Sequence, residues 1–313
     1  MGKSLWERTV QLTIALGERI LAPVERFIGR RSLVGDETFF ADARFPWIER
    51  VEQNWETIHE ELERVLADRD ALPNFQDISK DQIEITDDDN WKTFFLYGYG
   101  FEAKLGVEMC PKTAALMREI PGMTTAMFSI LSPRKHILDH RGPYKGVLRY
   151  HLGLIVPREA QQCRIRVGDD IRHWERGRSL IFDDTFNHEV WNDTDETRVV
   201  LFVDVLRPLP APWNAINRLI VKAIGYSPFV LDAKRNQEAW ERRFLARSVA
   251  EMRRADRGYV IRQRLRFLRA SRQNEGRGQH DNAEPCRQRA CELVTREFPT
   301  SERDSDLRHD CLR

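Results

Sequence analysis

Two histidines, His140 and His188, stand 48 residues apart in this chain, each at the edge of a short β-like run and beside turn and acidic residues. Neutral imidazole is a good ligand for Fe(II). A mononuclear oxygenase iron needs few protein ligands, gathered on one face, so that a cosubstrate and O2 can take the other positions. Arg149 and His151 lie two residues apart on one apolar run, and on a strand that spacing puts both on the same face. Arg198 opens the last apolar run, ten residues after His188. An arginine on a buried β-face is costly unless it meets an anion. Its partner is either Asp183 or Asp184 in a salt bridge, or a bound dicarboxylate held in the guanidinium fork. Together these residues make the stretch from Met127 to Pro208 a candidate metal-dependent oxygenase core.

The elements around them must position them. Leu148 to Val156, Cys163 to Val167, Leu180 to Asp183 and Val199 to Leu206 are rich in β-branched and aromatic residues and are separated by turn residues. Several short strands at that spacing predict a compact antiparallel sandwich or barrel. Trp91 to Tyr97 reads as a further strand. Ahead of it, Ile48, Val51, Trp55, Ile58, Leu62 and Val65 follow helical period, which predicts one helix from Trp47 to Asp68 opened by Pro46. Pro111 to Ile120 reads as a short helix stopped at Pro121-Gly122. Two amphipathic segments flank the core, Trp6 to Ile28 and Trp213 to Ile224, and a basic, helix-prone stretch runs from Asp232 to Arg272. The expected organisation is therefore 1–45, an amphipathic helix and linker; 46–210, the β-core with helical support; 211–272, amphipathic and basic helices; and 273–313, a polar tail too poor in apolar residues to fold by itself.

Composition narrows the function classes. The chain has 50 basic and 49 acidic side chains, a net charge of +1, so nothing global suggests nucleic acid. Its five cysteines are scattered, odd in number and without a CxxC pair, which argues against a disulfide framework or a zinc ribbon and suits a reducing cytosol. No segment reads as a secretory signal or as the run of about 20 apolar residues that a spanning helix needs. The expectation is a cytoplasmic chain, with peripheral attachment to the inner membrane through the amphipathic segments as an open alternative to their packing on the core.

The motifs HRGPYKGVLRYHLGL, IFDDTFNHEVWND and RVVLFVDVLRP together resemble the aspartyl/asparaginyl β-hydroxylase family of Fe(II)/2-oxoglutarate dioxygenases. The likeness runs from about Met123 to Pro208, and more loosely from Trp47. It implies a mainly β fold with flanking helices, a double-stranded β-helix (jelly-roll) core. It also implies Fe(II) as metal, 2-oxoglutarate as cosubstrate and O2 as oxidant. Carried over by position, His140 and His188 fall on the iron ligands. Arg149 and His151 fall on the pair that contacts the 2-oxoglutarate carboxylate near the metal, and Ser129 and Arg198 on the pair that holds its far carboxylate. The usual triad adds a carboxylate two residues after the first histidine. Here that position is Gly142, as in the animal peptidyl enzymes, where water is taken to fill the gap. Asp139, adjacent to His140, points away from the metal on an extended strand.

The family has two branches. One hydroxylates Asp or Asn of peptides, and the HEVWN segment resembles it. The other, bacterial, hydroxylates fatty acyl chains at the 2-position in lipid A or ornithine lipids, and the GPYKG and RYHLGL segments resemble that one. The expected substrate is a membrane-lipid acyl chain, with peptidyl Asp/Asn as the alternative. Other candidates read as structural: His136 and His173 as surface or turn residues, Cys163 as core, and Phe186 and Trp191 as packing. Asp183 and Asp184 are expected to orient His188 or Arg149.

Overall fold

The computed structural model describes residues 22–248 and 250. By its contacts the chain divides into two units, Met1–Leu245 and Ala246–Arg313, and the described residues belong almost wholly to the first. A helix over 22–31 (α1) leads to strand β1 (Phe39–Phe40) and helices α2 (Trp47–Gln53), α3 (Trp55–Leu66) and α4 (Phe75–Ile78). Then come β2 (Trp91–Gly98), β3 (Phe101–Glu102), α5 (Lys104–Met109) and α6 (Pro111–Arg118). Eight strands follow: β4 (Met123–Leu131), β5 (His136–His140), β6 (Val147–Ile155), β7 (Cys163–Val167), β8 (Asp170–His173), β9 (Ser179–Phe182), β10 (His188–Asn192) and β11 (Arg198–Leu206). Helix α7 (Trp213–Ile224) and a long helix over 228–248 (α8) close the described chain.

The strands form two antiparallel sheets. The larger has the order β1-β9-β6-β11-β4-β2-β3, the smaller β5-β10-β7-β8. From β4 to β11 the chain crosses repeatedly from one sheet to the other, so that β9-β6-β11-β4 faces β5-β10-β7-β8. That is the strand order of a double-stranded β-helix, the jelly-roll barrel. β11 explains why the larger sheet has two covered faces. Its residues from Arg198 to Val205 are all buried, with β4 on one side and β6 on the other. One face points into the barrel. The other carries Phe94, Phe128, Tyr150 and Leu201 and is covered by helices, with Trp47 edge-on to Tyr150 at 5.0 Å. β7 alternates buried and half-buried residues, as a strand of the smaller sheet with one open face should.

The expected strands all appear, displaced by one residue at most at their ends. The single helix expected over Trp47 to Asp68 is two, because Asn54 leaves helical geometry at φ −103° and ψ 12°. The N-terminal amphipathic segment is helical over 22–31, and the basic stretch is helical to 248; residues 1–21, residues 251–272 of the basic stretch and the tail 273–313 lie outside the described residues. No described helix is long and apolar enough to cross a membrane.

Candidate active site

His140 ends β5 and His188 begins β10, and the two are direct cross-strand partners. Plain alternation would put His136 and His140 on one face. A bulge in this pairing prevents that, because the three steps of β5 from Ile137 to His140 oppose the two steps of β10 from His188 to Val190. His136 therefore stacks outside on Trp191 at 5.4 Å and pairs with Glu189, while His140 turns inward to a centroid distance of 4.0 Å from His188. Asp139 faces outward as well, bonded by Arg166 at 2.7 Å and Asn187 at 2.8 Å. Each inward histidine uses Nδ1 on a backbone carbonyl, His140 on Leu138 O at 2.7 Å and His188 on Phe186 O at 3.1 Å. The proton is then on Nδ1 and the Nε2 lone pair is left for a ligand. Burial holds both imidazoles neutral, with His188 pushed down to about 2 by burial, His140 and Arg149.

A continuous line of contacts runs inward from this pair. His188 meets the Phe182 ring at 6.1 Å, and Phe182 meets His151 at 5.1 Å. The Trp174 indole N–H donates to His151 Nδ1 at 3.3 Å. An indole nitrogen only donates, so His151 carries its own proton on Nε2. That Nε2 is buried without a hydrogen-bond partner, and burial with Arg198 and Arg149 nearby keeps the ring neutral. Trp174 also lies under the guanidinium of Arg198, 4.6 Å from its ring centre.

Arg198 is 1% exposed. Its hydrogen bonds to Ser129 Oγ at 3.4 Å and Ser129 O at 3.5 Å are both long, the Cys163 thiol also lies within reach of the guanidinium, and among the described residues its Nε has no partner. The salt bridge to Asp183 or Asp184 does not form. Asp183 is taken by Lys145 and by Arg207, and Asp184 by Arg149. Burial draws the guanidinium down to about 10, still charged at neutral pH. Ser129 Oγ accepts from Trp91 Nε1 at 3.0 Å as well as from Arg198, which leaves its own O–H free to donate.

Arg149 is held differently. Asp184 pairs with it at 2.9 Å and Asp204 at 3.0 Å, with the Phe202 ring 4.3 Å beneath. Asp184 also occupies the space that a side chain at position 142 would need. A Cβ on Gly142 would stand 2.3 Å from the Asp184 carboxylate, and Gly142 N–H donates to Asp184 O at 2.6 Å. Phe186 lies under Lys145, 4.6 Å away, and Trp191 sits on the outer face of the smaller sheet.

His140, His188, His151, Ser129 and Arg198 are thus brought to one barrel interior, with Arg149 clamped beside them. Sequence reasoning missed Trp174, whose position next to His173 in a turn gave no sign that it reaches both His151 and Arg198. It also missed Asp204, which reads as one polar interruption of an apolar strand. The donor set suits a divalent cation next to a dicarboxylate. Two neutral imidazoles offer free lone pairs, and beyond them stand an N–H without a partner among the described residues, a hydroxyl able to donate, and a buried cation that no described carboxylate meets. Among the described residues no cluster of three or more His, Cys, Asp or Glu forms a fuller metal site.

Comparison with known proteins agrees with this architecture. The family model described as Aspartyl/Asparaginyl beta-hydroxylase matches residues 52–208. An ornithine lipid ester-linked acyl 2-hydroxylase of Rhizobium tropici is 45% identical over 231 residues, 74% of this chain and 82% of that protein. The aspartyl/asparaginyl beta-hydroxylase of Homo sapiens is 33% identical over 170 residues, 53% of this chain but 22% of that protein. Among solved structures, the Schizosaccharomyces pombe Cnp3 cupin domain aligns over 45% of this chain and 72% of its own at 11% identity, with a TM-score of 0.28, too slight a likeness to add to the strand order. Matched across the barrel and the helices before it, the chain belongs to the aspartyl/asparaginyl β-hydroxylase family.

Proposed function

We propose that this chain is an Fe(II)- and 2-oxoglutarate-dependent hydroxylase that acts on a fatty acyl chain of a membrane lipid of the ornithine-lipid type, at the 2-position. The observation that carries the cofactor reading is Arg198, a buried guanidinium that no carboxylate among the described residues neutralises. In this reading His140 and His188 hold the iron through Nε2. Arg198 and the Ser129 hydroxyl take the far carboxylate of 2-oxoglutarate. His151 gives its Nε2–H to the near carboxylate, fixed in that tautomer by Trp174, and Arg149 lends positive charge beside it. When bound, iron, 2-oxoglutarate and O2 together supply the oxidising chemistry that turns a C–H bond into C–OH with release of succinate and CO2. The protein contributes charge placement and a barrel interior that excludes water.

The lipid substrate is supported by the relative whose name specifies ornithine lipid, since that likeness extends over most of both chains. A peptidyl Asp/Asn substrate is the second reading, favoured by the match to the animal enzymes and by Gly142. Lipid mass spectrometry of the source organism with and without the gene separates them. Loss of one oxygen from acylated ornithine lipids in the deletion supports the lipid reading, and an unchanged lipid profile removes it. On this reading the protein works at the cytoplasmic face of a membrane as a peripheral enzyme.

A further inference from the structure

A surface helix ordinarily turns its apolar stripe inward. α7 does the reverse. Its buried residues are Asn217 and Val221, while Ile216 is 43% exposed and Leu219 68%. Asn217 is needed inside, where its Oδ1 accepts from Tyr144 Oη at 2.8 Å and its Nδ2 donates to Gly146 O at 2.8 Å. The apolar surface continues past the helix end with Tyr226 and Phe229, the latter 70% exposed. α1 joins it. Phe27 packs edge-on against Trp213 at 4.6 Å, and the Arg31 guanidinium lies 5.3 Å and 5.7 Å from the two ring centres. Val24, Phe27 and Leu33 are all exposed.

The charge on the two segments that form this face is mainly positive, and the acids just beyond them, Asp36, Glu37 and Asp232, are paired with Lys145, Arg44 and Arg235. Residues 22–35 and 211–231 contain Arg26, Arg30, Arg31, Arg218 and Lys222, all exposed, and one acidic residue, Glu25. Glu25 is itself engaged by Arg141 at 2.8 Å. The same face is tied to the site. Arg141 and Tyr144 belong to the loop that follows His140, and that loop carries Gly142, bonded to Asp184.

We propose that the exposed faces of α1 and α7, with Tyr226 and Phe229, seat the enzyme on an anionic phospholipid bilayer and bring the 141–146 loop, and with it the mouth of the site, to the acyl chains. This rests on the lipid reading of the substrate. Apolar residues set among arginine and lysine suit the boundary between headgroups and acyl chains. A second copy of the chain would bring five like charges against five, which is repulsive. The chain's own segment 1–21 has nearly balanced charge, with Lys3, Arg8 and Arg19 against Glu7 and Glu18, and offers no complement to a basic face.

The test uses the full chain and sedimentation with vesicles of phosphatidylcholine alone or with about 30% phosphatidylglycerol. The wild type is expected to partition roughly tenfold or more better to the anionic vesicles at low salt, and to lose that advantage near 0.5 M salt, where screening is about complete within a few ångströms. The double variant Ile216→Glu/Leu219→Glu is expected to lose roughly tenfold of vesicle binding, with an unchanged circular-dichroism melt and unchanged hydroxylation of detergent-dispersed lipid. Ile171→Glu, an exposed apolar residue on β8, serves as control and should bind vesicles like the wild type. A wild type that ignores anionic vesicles, or a double variant that binds them equally well, overturns the proposal. So does a double variant whose only change is a lost dimer, which assigns the face to a second copy, or a shifted melt without altered vesicle binding, which assigns it to another part of the chain. Vesicle binding without hydroxylation of detergent-dispersed ornithine lipid upholds the docking face and removes the substrate reading. Hydroxylation in detergent without vesicle binding does the opposite.

Discussion

The guanidinium of Arg198 lies 4.6 Å over the Trp174 ring, where a buried arginine would ordinarily meet a carboxylate. A desolvated, uncompensated charge destabilises the apoprotein, and an apolar replacement of similar volume is often stabilising by about 1–4 kcal/mol. Arg198→Met should therefore raise the melting temperature of the ligand-free protein. The same change should weaken 2-oxoglutarate by about 2–5 kcal/mol, the usual cost of removing one side of a buried charge pair. Calorimetric melts with and without 2-oxoglutarate read both effects. A variant that melts lower and still gains stability from 2-oxoglutarate would remove Arg198 from the cosubstrate site.

Trp174 also fixes the proton on His151. Trp174→Phe keeps most of the packing but removes the N–H that donates to Nδ1. His151 is then free to place its proton on either nitrogen, and a neutral–charged hydrogen bond to a carboxylate, worth about 1.5–3 kcal/mol, is compromised. The expected outcome is a rise of roughly tenfold in the KM for 2-oxoglutarate, with a smaller change in the KM for the lipid. Steady-state kinetics varying each substrate in turn checks it.

Gly142 leaves no room for a side chain. A methyl group there would meet the Asp184 carboxylate, which Arg149 holds in place. Gly142→Ala should cost about 1–3 kcal/mol of stability, in the range of overpacked sites. The loss should shrink in Gly142→Ala/Asp184→Gly, where the obstruction is gone. Denaturant titration of the two variants and the wild type tests this. An Ala variant as stable as the wild type would show that Asp184 moves freely.

The neutral histidines make the metal-free protein sensitive to acid. His188 is held far below its unfolded value of about 6.5, and His140 and His151 are also lowered. For a group depressed on folding, the unfolded chain binds the proton first. The stability these imidazoles contribute is then complete above about pH 6.5 and declines as pH falls below it, with His188 alone giving a slope of up to about 1.4 kcal/mol per pH unit. His188→Gln should flatten the slope by about that amount. Equilibrium unfolding of the metal-free protein between about pH 7 and 5 measures it.

The barrel was legible in the sequence where strands are apolar on both faces. β6 and β11 announce themselves through runs such as LRYHLGLI and VVLFVDVL. The strands that carry the metal-binding candidates do not. HILDH and HEVWN are short, half polar and open on one side, so their histidines read as lying at strand edges rather than on paired strands. The bulge that separates His136 from His140 has no local sequence mark, because it arises from the pairing of two segments nearly 50 residues apart. Arg198 was readable as an expensive charge, yet whether Asp183 or Asp184 meets it needed the structure. Asp183 and Asp184 are adjacent in sequence and go to different partners, Lys145 and Arg207 for one and Arg149 for the other.

On the proposed reading, this barrel couples 2-oxoglutarate oxidation to hydroxylation of a lipid acyl chain. The most direct measurement supplies purified protein with Fe(II), 2-oxoglutarate, isotopically labelled O2 and detergent-dispersed ornithine lipid, and follows lipid mass and succinate together. The expected result is one labelled oxygen at carbon 2 of an acyl chain for each succinate formed, and loss of both products in His140→Ala and His188→Ala. Unlabelled lipid, with the label found on the Asp or Asn of an added peptide or with turnover that persists in the histidine variants, would contradict it.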